Sequence, residues 1–172
     1  MDHQSLLARI TAQLPDALIE SAEFRGDLSL VVRPERYLEL ARWLRDEPDL
    51  GYTFLENLCG VDYLGRDPRF EVVVHLVSMQ HLHRVCLKLR LPEAEPHAPS
   101  LTALFPTANY QEREAYDLLG ISFDGHPSLR RILLPDDWVG HPQRKDHPLV
   151  EEEIAFSFNQ ERIYAHKPFA NE

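Results

Sequence analysis

Cysteine is almost missing from this chain of 172 residues: Cys59 and Cys86 are the two present. They form no Cys-x-x-Cys pair, so neither a disulfide framework nor a ligand set for an iron-sulfur cluster is in sight, and buried thiols in a reducing compartment are expected. Long apolar runs are missing too. Stretches such as Val72-Val73-Val74 are far too short to cross a bilayer. The opening, Met1 to Ser5, has neither the basic nor the apolar region of a secretory signal. These absences lead us to expect a location on the cytoplasmic side, with any membrane reached through partners. Basic residues are in deficit, 18 against 28 acidic ones for a formal net charge of -10, which argues against nucleic acid or an anionic membrane surface as main partner. No Gly-x-Gly-x-x-Gly, phosphate loop, Gly-x-Ser-x-Gly or Cys/His nucleophile spacing occurs, nor any repeat or low-complexity tract.

What is present reads as helices alternating with paired strands. Leu6, Leu7, Ile10 and Leu14 recur at helical spacing, with Ser5 as the expected N-cap and Pro15 beyond the end. Ala17 to Phe24 and Leu28 to Arg33 predict a hairpin around Arg25-Gly26-Asp27, where a tight turn accounts for the glycine. Pro34 opens a second helix at the position that tolerates proline best, and Tyr37, Leu38, Ala41 and Leu44 are expected to face a sheet. Tyr52 to Tyr63 predicts a strand bent near Gly60, and Gly65 to Pro68 a turn. Phe70 to Met79 and Leu82 to Leu91 are the clearest hairpin. Phe70, Val72, Val74 and Leu76 alternate with Glu71, Val73 and His75, and Val85, Leu87, Leu89 and Leu91 with Arg84, Lys88 and Arg90. Pro92 to Pro99 is expected to be a connector and Ser100 to cap a short helix through Leu104. The order implies an α+β fold with a mostly antiparallel sheet and helices packed on it. We expect an α+β domain over 1–108 and a helix plus extended, proline-punctuated C-terminal arm over 109–172.

The arm draws most attention. A short helix from Asn109 places Arg113 four residues before Asp117, as a facing pair, and ends at Gly120. Leu118, Leu119, Ile121 and Phe123 supply an apolar anchor and Asp124-Gly125 a turn. Pro127, Pro135, Pro142 and Pro148 then bias the chain toward extended geometry. Fixing such a segment costs roughly 1 to 2 kcal/mol of backbone entropy per residue, so it needs a surface. It mixes Leu129, Ile132, Leu133, Leu134, Trp138 and Leu149 with Arg130, Arg131, Arg144 and Lys145, a composition suited to an interface with another subunit, the chain's own domain being the alternative surface.

Glu112-Arg113-Glu114, Asp117-Leu118-Leu119-Gly120, Gly125-His126-Pro127 and Leu129-Arg130-Arg131-Ile132-Leu133, continued by Trp138, Gly140, Pro142 and Arg144-Lys145-Asp146, resemble the signature of the 30-kilodalton-type (C-type) subunit of the proton-pumping NADH-quinone oxidoreductase (respiratory complex I). The resemblance implies a non-catalytic subunit of the peripheral arm. It would hold no cofactor itself, while partner subunits carry FMN, iron-sulfur clusters and the sites for NADH and quinone. It would pack against subunits of the D (quinone-site) and B (terminal iron-sulfur) types, with the I type as a further neighbour, on the cytoplasmic side of the cell membrane. On this reading Glu112, Arg113, Glu114, Asp117, His126, Pro127, Arg130, Arg131, Trp138, Arg144, Lys145 and Asp146 make contacts within the arm or to partners. Equivalent subunits of ion-pumping complexes fed by ferredoxin, reduced deazaflavin or hydrogen are the alternative. A stand-alone metal-dependent hydrolase built on the histidines is another. Against the latter, His81 and His83 sit at the expected hairpin tip and are read as exposed, and His126, His141 and His147 match no compact ligand spacing. Glu112 and Glu114, two apart on a helix, diverge and form no acid/base pair. The tail beyond Val150, acidic through Glu151 to Glu153 and then aromatic, lies beyond the stretch that carries the resemblance.

Overall fold

The two expected hairpins merge into one sheet. The computed structural model describes residues 2–148 and 156–166. Its elements are α1 (His3–Gln13), β1 (Leu18–Phe24), β2 (Asp27–Val32), α2 (Pro34–Asp46), β3 (Phe54–Asp62), β4 (Phe70–Ser78), β5 (His83–Leu91), β6 (His97–Pro99), α3 (Ala108–Leu119), β7 (Ser122–Asp124) and α4 (Gln160–His166). The strand order β1-β2-β5-β4-β3 is antiparallel except where β2 runs parallel to β5, the join that the α2 crossover makes possible.

Register decides which face is buried. Val72 lies opposite Leu89 and Gly60, and Val74 opposite Leu87 and Leu58, so these residues share one face with Phe70 and Leu76, and all but the half-buried Gly60 are buried. Onto that face α1 lays Leu6 and Ile10, and α2 lays Tyr37, Leu40, Ala41 and Leu44. Each large apolar side chain removed from water in this way contributes about 1.5 to 3 kcal/mol. Leu40 belongs to the buried stripe and Leu38 is only partly buried, so the buried face of the helix is rotated slightly from expectation. The N-cap of α1 is Asp2, whose carboxylate accepts from the Ser5 amide at 2.6 Å, so the helix starts earlier than a Ser5 cap would allow.

The third helix packs against β3. Gly60 is what lets it approach. A Cβ there would lie 2.5 Å from Leu119 Cδ1 and 2.9 Å from Ile121 Cδ1. Replacing Gly60 by alanine is therefore expected to cost about 1 to 3 kcal/mol through overpacking, with the loss growing at valine; urea denaturation of both variants measures it. Ala108, Ala115, Leu119, Ile121 and Phe123 belong to the same buried cluster as the sheet, so packing is continuous across residue 108.

The connector over Pro92 to Pro99 contains β6, which pairs in parallel with β7. The Ser122 amide donates to the Pro96 carbonyl and the Ser100 amide to the Asp124 carbonyl, which is how a proline-rich stretch still joins a ladder. Residues 101–105 form one turn, closed by the Leu104 and Phe105 amides on the Leu101 carbonyl, and not the expected short helix. From 126 to 148 the chain is irregular and turn-rich. Leu149 and Glu151 to Glu153 lie outside the described residues.

Candidate functional site

A helix leaves its last carbonyls without partners, and an acid near that end meets an unfavourable dipole. The C-terminus of α3 has both features, and the arm answers them. Gly120 stops the helix at φ 74°, a left-handed conformation that suits glycine. The freed carbonyls of Asp117, Leu118 and Leu119 then meet His141 Nδ1 at 2.9 Å, the Gln143 amide at 3.1 Å and Arg144 Nε at 2.7 Å. Every one of these partners comes from the arm.

Asp117 is fully buried. Its Oδ2 accepts from the successive amides of Ile132 (2.9 Å), Leu133 (2.8 Å) and Leu134 (2.9 Å), and its Oδ1 from Arg131 Nη1 (2.7 Å). Burial alone would raise its pKa. The Leu134, Leu133 and Ile132 amides and the Arg131 guanidinium outweigh burial and bring it down to about 2. Three amides converging on one carboxylate oxygen form an anion nest. The other half of the Arg131 guanidinium donates to the Trp138 and Gly140 carbonyls at 3.0 and 3.3 Å, so one side chain folds the arm back on itself.

A second anchor holds the far end. Arg69, just before β4, has a side chain 2 % exposed and donates Nε and Nη2 to the two oxygens of Asp62, both at 2.8 Å. Nη1 and Nη2 also reach Asp146 at 3.0 and 2.8 Å, and Nη1 reaches Glu93 at 2.6 Å. The Lys145 amide donates to Asp62 Oδ2 at 2.8 Å. Hydrogen bonds from Arg69 hold the Asp62 and Asp146 carboxyls below the usual range, and those same carboxylates raise the arginine further. Arg144 and Arg69 both stack on the Phe70 ring, at 5.1 and 5.0 Å.

Several expectations need correcting. Arg113 does not face Asp117; its guanidinium donates to the Arg130 and Arg131 carbonyls, because four donors from the arm already fill the carboxylate. Glu112 and Asp117 are fully buried with their oxygens bonded inside the chain, so for these two the expected contacts lie within the chain. His126 is bound internally, between the Asn109 carbonyl and the Ser128 amide. Glu114, Pro127, Arg130, Trp138 and the Lys145 side chain remain exposed. His81 is exposed as expected, whereas His83 is half-buried, with Nδ1 bonded to the Tyr52 hydroxyl and its ring edge-on to His3. Burial, then the neighbouring His3, lowers the His83 pKa. Among the described residues no group of three or more His, Cys, Asp or Glu side chains is arranged to hold a metal ion.

Arg69, Asp62 and Glu93 are not distinguished by any motif. Only the alternation of β3, which turns Asp62 inward with Leu58 and Gly60, hints at one of them.

What the two anchors leave outside includes large apolar side chains, beside the exposed Asp136 and Asp137. Leu133 is 60 % exposed, Trp138 43 % and Val139 91 %, with Ile132 beside them. Such a ridge on a pinned backbone has the anatomy of an interface core. Residues 30–153 match the family described as respiratory-chain NADH dehydrogenase, 30 Kd subunit. The chain belongs to that family. Among similar members, the C-type subunit of NADH-quinone oxidoreductase from Roseiflexus castenholzii is 64 % identical and that from Herpetosiphon aurantiacus 60 %, each over 100 % of this chain and 99 % of the relative. Of solved structures, the trypsin-resistant fragment (1-134) of Nqo5 is 35 % identical with a TM-score of 0.61, covering 75 % of this chain and all of that one. A chain of an archaeal membrane-bound sulfane sulfur reductase shares the fold at a TM-score of 0.71 and 21 % identity, with 86 % of each covered. Among the described residues no helix of this 30 Kd-type subunit is long and apolar enough to cross a membrane.

Proposed function

We propose that this chain is a clamp in the peripheral arm of NADH-quinone oxidoreductase, supporting electron transfer from NADH to quinone coupled to proton translocation without supplying catalytic groups. The observation that carries this reading is the pinned arm, held at Asp117 and Arg69 while Ile132, Leu133, Trp138 and Val139 face outward. Electron and quinone chemistry depend on fixed relative positions of cofactors, and a rigid scaffold supplies them. The partners are subunits of the D and B types, with the I type as a further neighbour. FMN, the iron-sulfur clusters and the sites for NADH and quinone belong to the partner subunits. In this role the chain is peripheral on the cytoplasmic side and meets the membrane through those partners.

The test is a native pull-down of the tagged chain from mildly solubilised membranes of its source. Recovery of B- and D-type subunits with NADH-quinone activity is expected. Assays with reduced ferredoxin, reduced deazaflavin or hydrogen on the same material identify the donor. A Leu133→Ser, Trp138→Ala chain is expected to keep its fold and lose about 2 kcal/mol of binding, roughly 30-fold in assembly at limiting concentration. Undiminished assembly would sink the ridge as the docking surface.

A further inference from the structure

We propose that Glu112 is a proton-binding site of the folded chain, exchanging its proton with solvent through the hydroxyls of Ser100 and Thr102. The carboxyl is 0 % exposed. Its oxygens meet the Ser100 hydroxyl and the Leu101 amide, both at 2.6 Å, and Ser100 Oγ lies 2.8 Å from Thr102 Oγ1, whose residue is partly exposed. Among the described residues no cation balances the group. From α2 the facing titratable group is Tyr37, buried and with its hydroxyl unpartnered; Arg45 on the same helix reaches the Leu104 carbonyl but is paired with Asp46. On α3, Arg113 is engaged by the arm carbonyls and Glu114 is exposed. The 100–104 loop offers hydroxyls and the Leu101 amide, and no charged side chain.

An isolated buried carboxylate is costly, and neutralisation is the ordinary remedy. Burial pushes the Glu112 pKa up to about 7, against a smaller lowering by Ser100 and Leu101. The Tyr37 hydroxyl is raised well above its usual value, first by its own burial and then by the Glu112 charge.

The hydrogen-bond chain supports both protonation states. With Glu112 ionised, Thr102 donates to Ser100 Oγ and Ser100 donates to Glu112 Oε2. With Glu112 protonated, each bond reverses: Glu112 donates to Ser100, Ser100 to Thr102, and Thr102 to water. Each hydroxyl takes one proton and passes on its own, so the carboxylate gains one proton and the hydroxyls are unchanged. A folded-state pKa above the unfolded one means that stability from this group is full below 4.5 and is lost as pH rises through about 7.

The test follows carboxyl carbons of the full-length chain, labelled at glutamate, by NMR across a pH titration. One glutamate is expected to titrate near 7, its signal missing from Glu112→Gln. If every glutamate titrates near the ordinary 4.5, the site is overturned. In denaturation, wild type is expected to lose roughly 300-fold in its folding constant from acid to alkaline pH relative to Glu112→Gln, the ratio set by a shift from 4.5 to about 7. Equal pH profiles would overturn it. Thr102→Val addresses the relay without touching Glu112: slower proton exchange at the Glu112 carboxyl supports it, and an unchanged rate removes Thr102 from the path.

Discussion

Replacing Arg69 by methionine is expected to lower folding stability by about 3 to 5 kcal/mol, the range for removing one partner from a buried ion pair. Both partners are out of water: the Arg69 and Asp62 side chains are 2 % and 3 % exposed. Methionine keeps much of the stem and its packing but leaves Asp62 with the Lys145 amide as its remaining donor. Lysine keeps the charge without the planar fork that serves Asp62 and Asp146 together, so Arg69→Lys is expected to lose part of the stability, not all. Arg69→Met combined with Asp62→Asn removes the stranded charge and is expected to recover a portion, which makes the coupling measurable as a double-mutant cycle. Urea denaturation at neutral pH checks all three. A cost below about 1 kcal/mol for methionine, the level of an exposed pair, would show that the cluster is solvated in solution.

Asp117→Ala comes next. It strands three successive amides and the Arg131 guanidinium, and we expect a loss of about 4 kcal/mol on the scale of broken buried charge contacts. The effect is local in its signature. Amide exchange at Ile132, Leu133 and Leu134 accelerates strongly while β4 and β5 stay protected, and the pull-down loses partners although the sheet is intact. Asp117→Asn retains one acceptor oxygen and falls between. Exchange rates at those three amides that match wild type would refute the nest as the arm's anchor. Because the folded-state pKa is depressed to about 2, stability from Asp117 is present above 3.8 and is lost as pH falls toward 2. Glu112, earlier on the same helix, has the opposite slope. The two acids together favour a mildly acid medium, and a denaturation series across pH separates their contributions.

Much of the fold was legible because it rests on period. The alternation in Phe70 to Leu91 named the buried face of β4 and β5 correctly, and Pro34 and Gly120 marked a helix start and a helix end by backbone constraints that need no tertiary context. The parallel join of β2 to β5 and the β6–β7 ladder were not legible, since both pair segments far apart in sequence. The candidate site divides in the same way. The residues of the arm could be named from their motif, but their partners could not. A facing Arg113–Asp117 pair is the reasonable helical reading, and it fails because long-range donors outcompete a local arginine. Arg69 carried no signal at all: an arginine beside a turn looks like any solvated charge until Asp62 and Asp146 converge on it.

The carbonyls at the end of α3 are met in order by His141, Gln143 and Arg144, between fixation of the arm at residues 131–134 and at Asp146. Spacing along this stretch is therefore as specified as side-chain identity. An inserted or deleted residue between 134 and 146 would move every later donor past its acceptor. The turn at 79–82 is under no such constraint: Met79 is 62 % and Leu82 86 % exposed, and there the chain has room to change its length across lineages.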